Sequence, residues 1–138
     1  MSRIILETRT PGQMRLDAYR APLCGDWFRD EQGDFRIQVC VPEGTPADHS
    51  LLDDPTSLLI ALHELVEVAL CSLDGVSQEQ VDAFDIEFEQ KRLAGERSPE
   101  AEPGDDPGAP YREQHRKAML IEHLVAQFMG IRSYGEIR

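Results

Sequence analysis

His63-Glu64-Leu65-Val66-Glu67 places three ionisable side chains inside a stretch, Leu58 to Cys71, whose every other residue is apolar. On a helix, at about 100° per residue, Glu67 comes round to within about 40° of His63, one turn along. An imidazole and a carboxylate can then reach one point in space. Glu64 falls about 100° from His63, at the edge of the same sector. Burying such groups without partners is costly, so water, a basic partner or a metal ion must compensate them. A narrow solvent-facing stripe is the plain alternative, since Asp74 shares the sector. Ile60 and Cys71 lie on the same arc and argue against it.

A second source of ligands lies near the C-terminus. His115 and Glu122 are seven residues apart, two turns on one helical face, and flank Ala118, Met119 and Ala126. Imidazole nitrogens and carboxylate oxygens suit zinc, and also iron or manganese. The expected ligands are His63, Glu67 and His115, with Asp85 or Glu122 completing or orienting the shell. Three protein ligands and an open position are what hydrolysis requires, with Glu64 as general base. Asp82, Asp85, Glu87 and Glu89 form an acidic helix face that is mostly solvated, Asp85 lying nearest its core edge. The competing expectation is a non-enzymatic interaction protein whose histidines merely hydrogen-bond inside the core.

The elements that must position these groups can be read from the pattern. Residues 1–50 read as β and turn. Ile4-Ile5-Leu6 is a short apolar run, and Phe35 to Val41 alternates with period two. Asp30 to Asp34 between Trp27-Phe28 and that run reads as a hairpin turn. Residues 54–74 read as a helix, with Asp54 as N-cap, Pro55 at the first position and Gly75 just beyond the end. Residues 77–92 read as a second helix opened by a Ser77/Gln80 capping box, with Val81, Phe84 and Phe88 facing the core. Residues 95–110 carry four prolines and three glycines and read as a mobile acidic surface loop. Residues 111–130 read as a third helix with Tyr111, Ala118, Ile121, Val125 and Phe128 inward. The fold class is α+β in one domain, a small antiparallel N-terminal sheet or hairpin packed on three helices.

Composition narrows the functions. With 138 residues, 41% hydrophobic, the chain can bury one core. Its net charge of −12 disfavours a basic nucleic-acid patch and anionic lipid, yet leaves carboxylates for a divalent cation, magnesium included. No run of 18 apolar residues suggests a membrane span, and the first apolar run is too short for a signal-peptide core, so a cytoplasmic protein is expected. Cys24, Cys40 and Cys71 have neither disulfide-framework nor zinc-knuckle spacing. No G-x-S-x-G and no glycine-rich phosphate loop is present. A protein partner, met through the 95–110 loop, or a homo-oligomer is compatible with this surface; the substrate is left open.

HELVE, set in LLIALHELVEVAL, resembles the active-site helix of the zincin metallopeptidases, whose pattern is H-E-x-x-H. That resemblance implies a ligand at His63, a general base at Glu64 and a zincin-like arrangement of sheet and helix. Glu67 stands where the family has its second histidine, which puts peptidase activity in question. Over most of the chain, Gly25-Asp26-Trp27, HELVE, Val81 to Asp85, Phe88-Glu89, Pro103 to Pro107, Ala109-Pro110-Tyr111, His115 and Glu122 are similar to small phage and prophage proteins. This implies a mobile-element origin and no defined chemistry. Glu64, Glu67, Asp82 and Asp85 also resemble, loosely, the magnesium-binding acids of MazG-type nucleotide pyrophosphohydrolases, although that family leads with an acid where this chain has His63.

Overall fold

The computed structural model describes residues 2–21 and 23–131. It is an α+β arrangement of three strands and three helices: β1 (Ile4–Arg9), β2 (Gly25–Arg29), β3 (Phe35–Cys40), α1 (Pro55–Asp74), α2 (Gln78–Leu93) and α3 (Arg112–Phe128). The expected hairpin joins β2 to β3. Asp30 O accepts from Gly33 N at 3.0 Å, and Gly33 takes a positive φ of 83°, which closes the turn.

The sheet order is β1-β3-β2, and the sheet is mixed, not antiparallel throughout. β1 runs parallel to β3, pairing Ile4 with Phe35 and Arg9 with Cys40. The reason is topological. The tight turn commits β2 to one edge of β3, so β1 can pair only along the other. Two 3-10 turns, Pro11–Gln13 and Asp17–Tyr19, carry the chain back to the start of β2. One face of β3 sends Ile37 and Val39 into the core, both without exposed surface, and Trp27 pairs with Ile37 in register. On the other face Glu7 collects Arg36 and Gln38, whose Nε2 donates at 2.7 Å to Oε1.

α1 begins as its sequence dictates. Asp54 accepts from Ser57 N at 3.2 Å, Pro55 occupies the first turn, and Gly75 closes the end in the left-handed region at φ 74°. By length and composition α1 could cross a bilayer. Instead it lies between the sheet and α3, burying Leu59, Ile60, Ala61, Val68 and Cys71 together with His63, Glu64 and Glu67. Three inward ionisable groups mark it as the central helix of the core. The narrow solvent-facing stripe is thereby ruled out.

α2 opens with the expected Ser77/Gln80 capping box and buries Val81, Asp85 and Phe88. α3 differs from its expected orientation. Its buried face is Gln114, His115, Ala118, Glu122 and Ala126, whereas Ile121 and Phe128 are exposed. Small residues let α3 approach α1 closely, and the larger apolar ones are left outside. The 95–110 segment, expected to lack regular structure, holds a 3-10 turn at Pro103–Asp105 with Gly104 buried. The turn packs on α3, and Ala101 O accepts from Arg92 Nη2 at 2.6 Å.

Candidate metal centre

His63 and Glu67 leave α1 one turn apart, as the periodicity requires, and α3 brings His115 against both. His63 Nε2 lies 3.0 Å from Glu67 Oε2 and 3.1 Å from His115 Nδ1. His115 Nδ1 lies 3.1 Å from the same Glu67 oxygen. The three donor atoms form a nearly equilateral triangle. All three residues are at least nine-tenths buried. Among the described residues this is the group that can hold a metal ion.

Hydrogen bonding serves this triangle poorly. A ring N–H points along one line and cannot satisfy two partners equally well. An ion at the centre serves all three donors at once. With bonds of about 2.1 Å, donors separated by 90° lie about 3.0 Å apart and tetrahedral donors about 3.4 Å apart. The observed edges fall at the short end of that range.

Each histidine has a carboxylate at its far nitrogen. Glu122 Oε1 sits 2.9 Å from His63 Nδ1 and has no exposed surface. It makes a close ion-pair contact that is not in line with the ring N–H. Asp105 Oδ1 sits 3.5 Å from His115 Nε2. Trp27 Nε1 donates to Glu67 Oε1 at 3.2 Å, leaving Oε2 to face the histidines. Of the three contacts, the one from Trp27 is a hydrogen bond, and it fixes which Glu67 oxygen faces the histidines.

Burial alone would lower the His63 pKa, but Glu122, Glu67 and Glu64 raise it to about 10. Burial would raise the Glu67 carboxyl, and the contacts with His115 and His63 hold it below its usual range. With both imidazoles neutral, the Glu67 carboxylate, held low, would be a buried negative charge facing two uncharged rings. A divalent cation would compensate it.

Two glycines set the walls. A Cβ on Gly25 would lie 2.6 Å from Glu64 Cγ and 2.8 Å from its Oε1, so Glu64 depends on the bare backbone of β2. A Cβ on Gly104 would lie 2.5 Å from His115 Nδ1 and would also strike Cγ. The 95–110 segment therefore rests directly on a ligand. Glu64 is buried at the edge of a cavity of about 230 Å³, whose lining also includes His63, Glu67 and His115.

Asp85 lies in the same cavity wall but outside the triangle. It accepts from the hydroxyls of Tyr19 at 2.7 Å and Tyr111 at 2.5 Å. Burial raises its pKa to about 6 against those two hydrogen bonds. Asp82 is held by Arg15 through two contacts of 2.8 Å, and the same guanidinium bonds Asp26 at 2.9 and 3.0 Å. Among the described residues, Glu64, Glu67, Asp82 and Asp85 do not gather as a carboxylate quartet. Cys24 lines the cavity with its thiol pushed well up by burial, Glu64 and Glu102 adding to the effect, which disfavours the thiolate.

Sequence reasoning did not single out Trp27, Asp105, Gly25 or Gly104 as parts of the centre. Gly25-Asp26-Trp27 and Pro103-Gly104-Asp105 read as strand-and-turn and loop segments, and nothing local ties them to a histidine far along the chain. No protein-family model, no curated protein and no solved structure matches the chain.

Proposed function

We propose that this chain is a metal-dependent hydrolase, holding one divalent ion on His63 Nε2, Glu67 Oε2 and His115 Nδ1. The observation that carries the reading is the triangle of buried donors, with edges of 3.0 to 3.1 Å, contributed by two helices. Two imidazoles and one carboxylate form a donor set shared by catalytic zinc and non-haem iron sites. Imidazole donors argue against magnesium, which prefers oxygen, and zinc suits the set best. Such an ion would act as a Lewis acid and lower the pKa of water in the cavity.

The chain's own residues supply the remainder. Glu64 precedes the second ligand by three residues and lines the cavity, so its carboxylate can take a proton there. Glu122 sets a carboxylate 2.9 Å from His63 Nδ1, which favours a proton there and leaves Nε2 for the ion, and the bond from Trp27 would fix the rotation of Glu67. The likeness of HELVE to the zincin helix supports the same roles for His63 and Glu64.

The test is metal analysis of the full-length protein, purified after zinc or manganese supplementation, with melting curves in the presence and absence of chelator. One retained ion per chain, a lower melting temperature with chelator, and loss of the ion in His63→Ala are expected. No retained ion together with an unmoved melting temperature would reject the reading.

A further inference from the structure

The cavity above the triad has a chemical character that selects its occupant. Asp26, Glu64, Asp85, Glu89, Glu100 and Glu102 all line it. Among the described lining residues Arg92 is the only arginine or lysine. Two of its nitrogens are engaged, and Nε is buried without a hydrogen-bond partner. Nη1 donates to Glu89 at 2.8 Å, Nη2 donates to Ala101 O at 2.6 Å, and the group lies over the Phe88 ring, 5.4 Å from its centroid. Outside the lining, Arg15 is bonded to Asp26 and Asp82, and Arg97, over the same Phe88 ring, lies 3.8 Å from Asp106. Carboxylates thus outnumber the one cationic side chain of the lining, and that balance of charge disfavours a phosphate or carboxylate there.

Aromatic side chains form part of the remaining wall. Trp27, Tyr19, Phe88 and Tyr111 line the same space. Aromatic faces beside carboxylates make the usual environment of a bound ammonium group, attracted by both. At about 230 Å³ the cavity lies below the roughly 300–1,000 Å³ of drug-sized pockets, and an occupant the size of one amino acid fits it.

We propose that the His63–Glu67–His115 centre acts on small substrates that carry an amine and no acidic group, an amino-acid-sized amide or ester, and rejects phosphorylated and carboxylate-bearing ones. This rests on the metal-site reading above and adds the substrate class. The acidic walls attract the ammonium end, while the triad takes the polar end.

The test uses the full-length protein loaded with zinc, metal content measured first, and three hydroxamates on one short alkyl stem ending in an ammonium, a methyl or a carboxylate group. Their affinities are compared by calorimetry, with inorganic phosphate as a fourth probe. The ammonium hydroxamate is expected to bind about tenfold or more tightly than the carboxylate one, with the methyl compound between them. The gap narrows at high salt and in Glu102→Gln. Equal or tighter binding of the carboxylate hydroxamate, or phosphate binding as tightly as the ammonium probe, would overturn the substrate class and leave the metal reading standing. Failure to load zinc would overturn both, and metal analysis alone identifies that case.

Discussion

Gly104→Ala tests whether the 95–110 segment holds a ligand in place. Gly104 carries no left-handed φ, so alanine meets no backbone penalty there, and its effect is steric. The new methyl would sit 2.5 Å from His115 Nδ1, against an ordinary contact of 3.4 Å or more. The imidazole or the turn must therefore retreat by about 0.9 Å, the difference of those two values. Metal–ligand distances tolerate roughly 0.2 Å, so the coordinating nitrogen would leave its place. Zinc affinity should fall about 100-fold or more, beyond the roughly 10–100-fold typical of orienting partners. Overpacking should also cost about 1–3 kcal/mol in the metal-free protein. The assay is competition with a chromophoric chelator, alongside thermal melting in EDTA. Gly12→Ala is the control, because its Cβ would find nothing closer than 3.8 Å. Wild-type zinc affinity and melting temperature in Gly104→Ala would refute the reasoning, since His115 could then not lie where the turn confines it.

Glu122→Gln keeps the shape but removes the charge 2.9 Å behind His63, and zinc affinity should fall about 10–100-fold; an unchanged affinity in the chelator competition would deny Glu122 its orienting role. Asp85 gives a pH test with a definite sign. Burial raises its folded pKa from 3.8 to about 6, so its contribution to stability is fully present below pH 4 and is lost as pH rises through 6. Asp85→Asn cannot ionise, so in chelator its melting temperature relative to wild type should climb between pH 4 and 7; parallel curves would contradict the burial argument. Leu59→Ala, at a position with no exposed surface that packs on Ala126 of α3, should cost about 2–5 kcal/mol in urea unfolding, and a smaller loss would mean the α1–α3 seam closes around the gap.

The helices and the hairpin were legible because each carries its own local punctuation. Asp54-Pro55 and Gly75 bracket α1, Ser77 and Gln80 open α2, and Asp30 to Gly33 turn β2 into β3. The pairing of β1 was not legible. Ile4-Ile5-Leu6 gives a strand but no direction, and direction is set by a partner about thirty residues away. The triad members were named from their types and spacing, because one helical turn brings two of them together and imidazoles are scarce in this chain. The rotation of α3 was misjudged for a related reason. Ranking Ile121 and Phe128 as inward assumed that size decides burial, whereas here Ala118 and Ala126 allow close approach and the polar ligands take the interior. The backing contacts from Trp27, Asp105 and Gly104 arise only once distant segments meet.

The placement of donors on α1 and α3 has a consequence for how the chain comes into being. During synthesis His63 and Glu67 leave the ribosome well before His115, with all of α2 and the Pro103–Asp105 turn still to follow. Until α3 lands, the nascent protein holds two of the three proposed donors and would have little hold on an ion. On the proposed reading, metal capture would wait for α3, and a chain truncated ahead of α3 would lack the third donor.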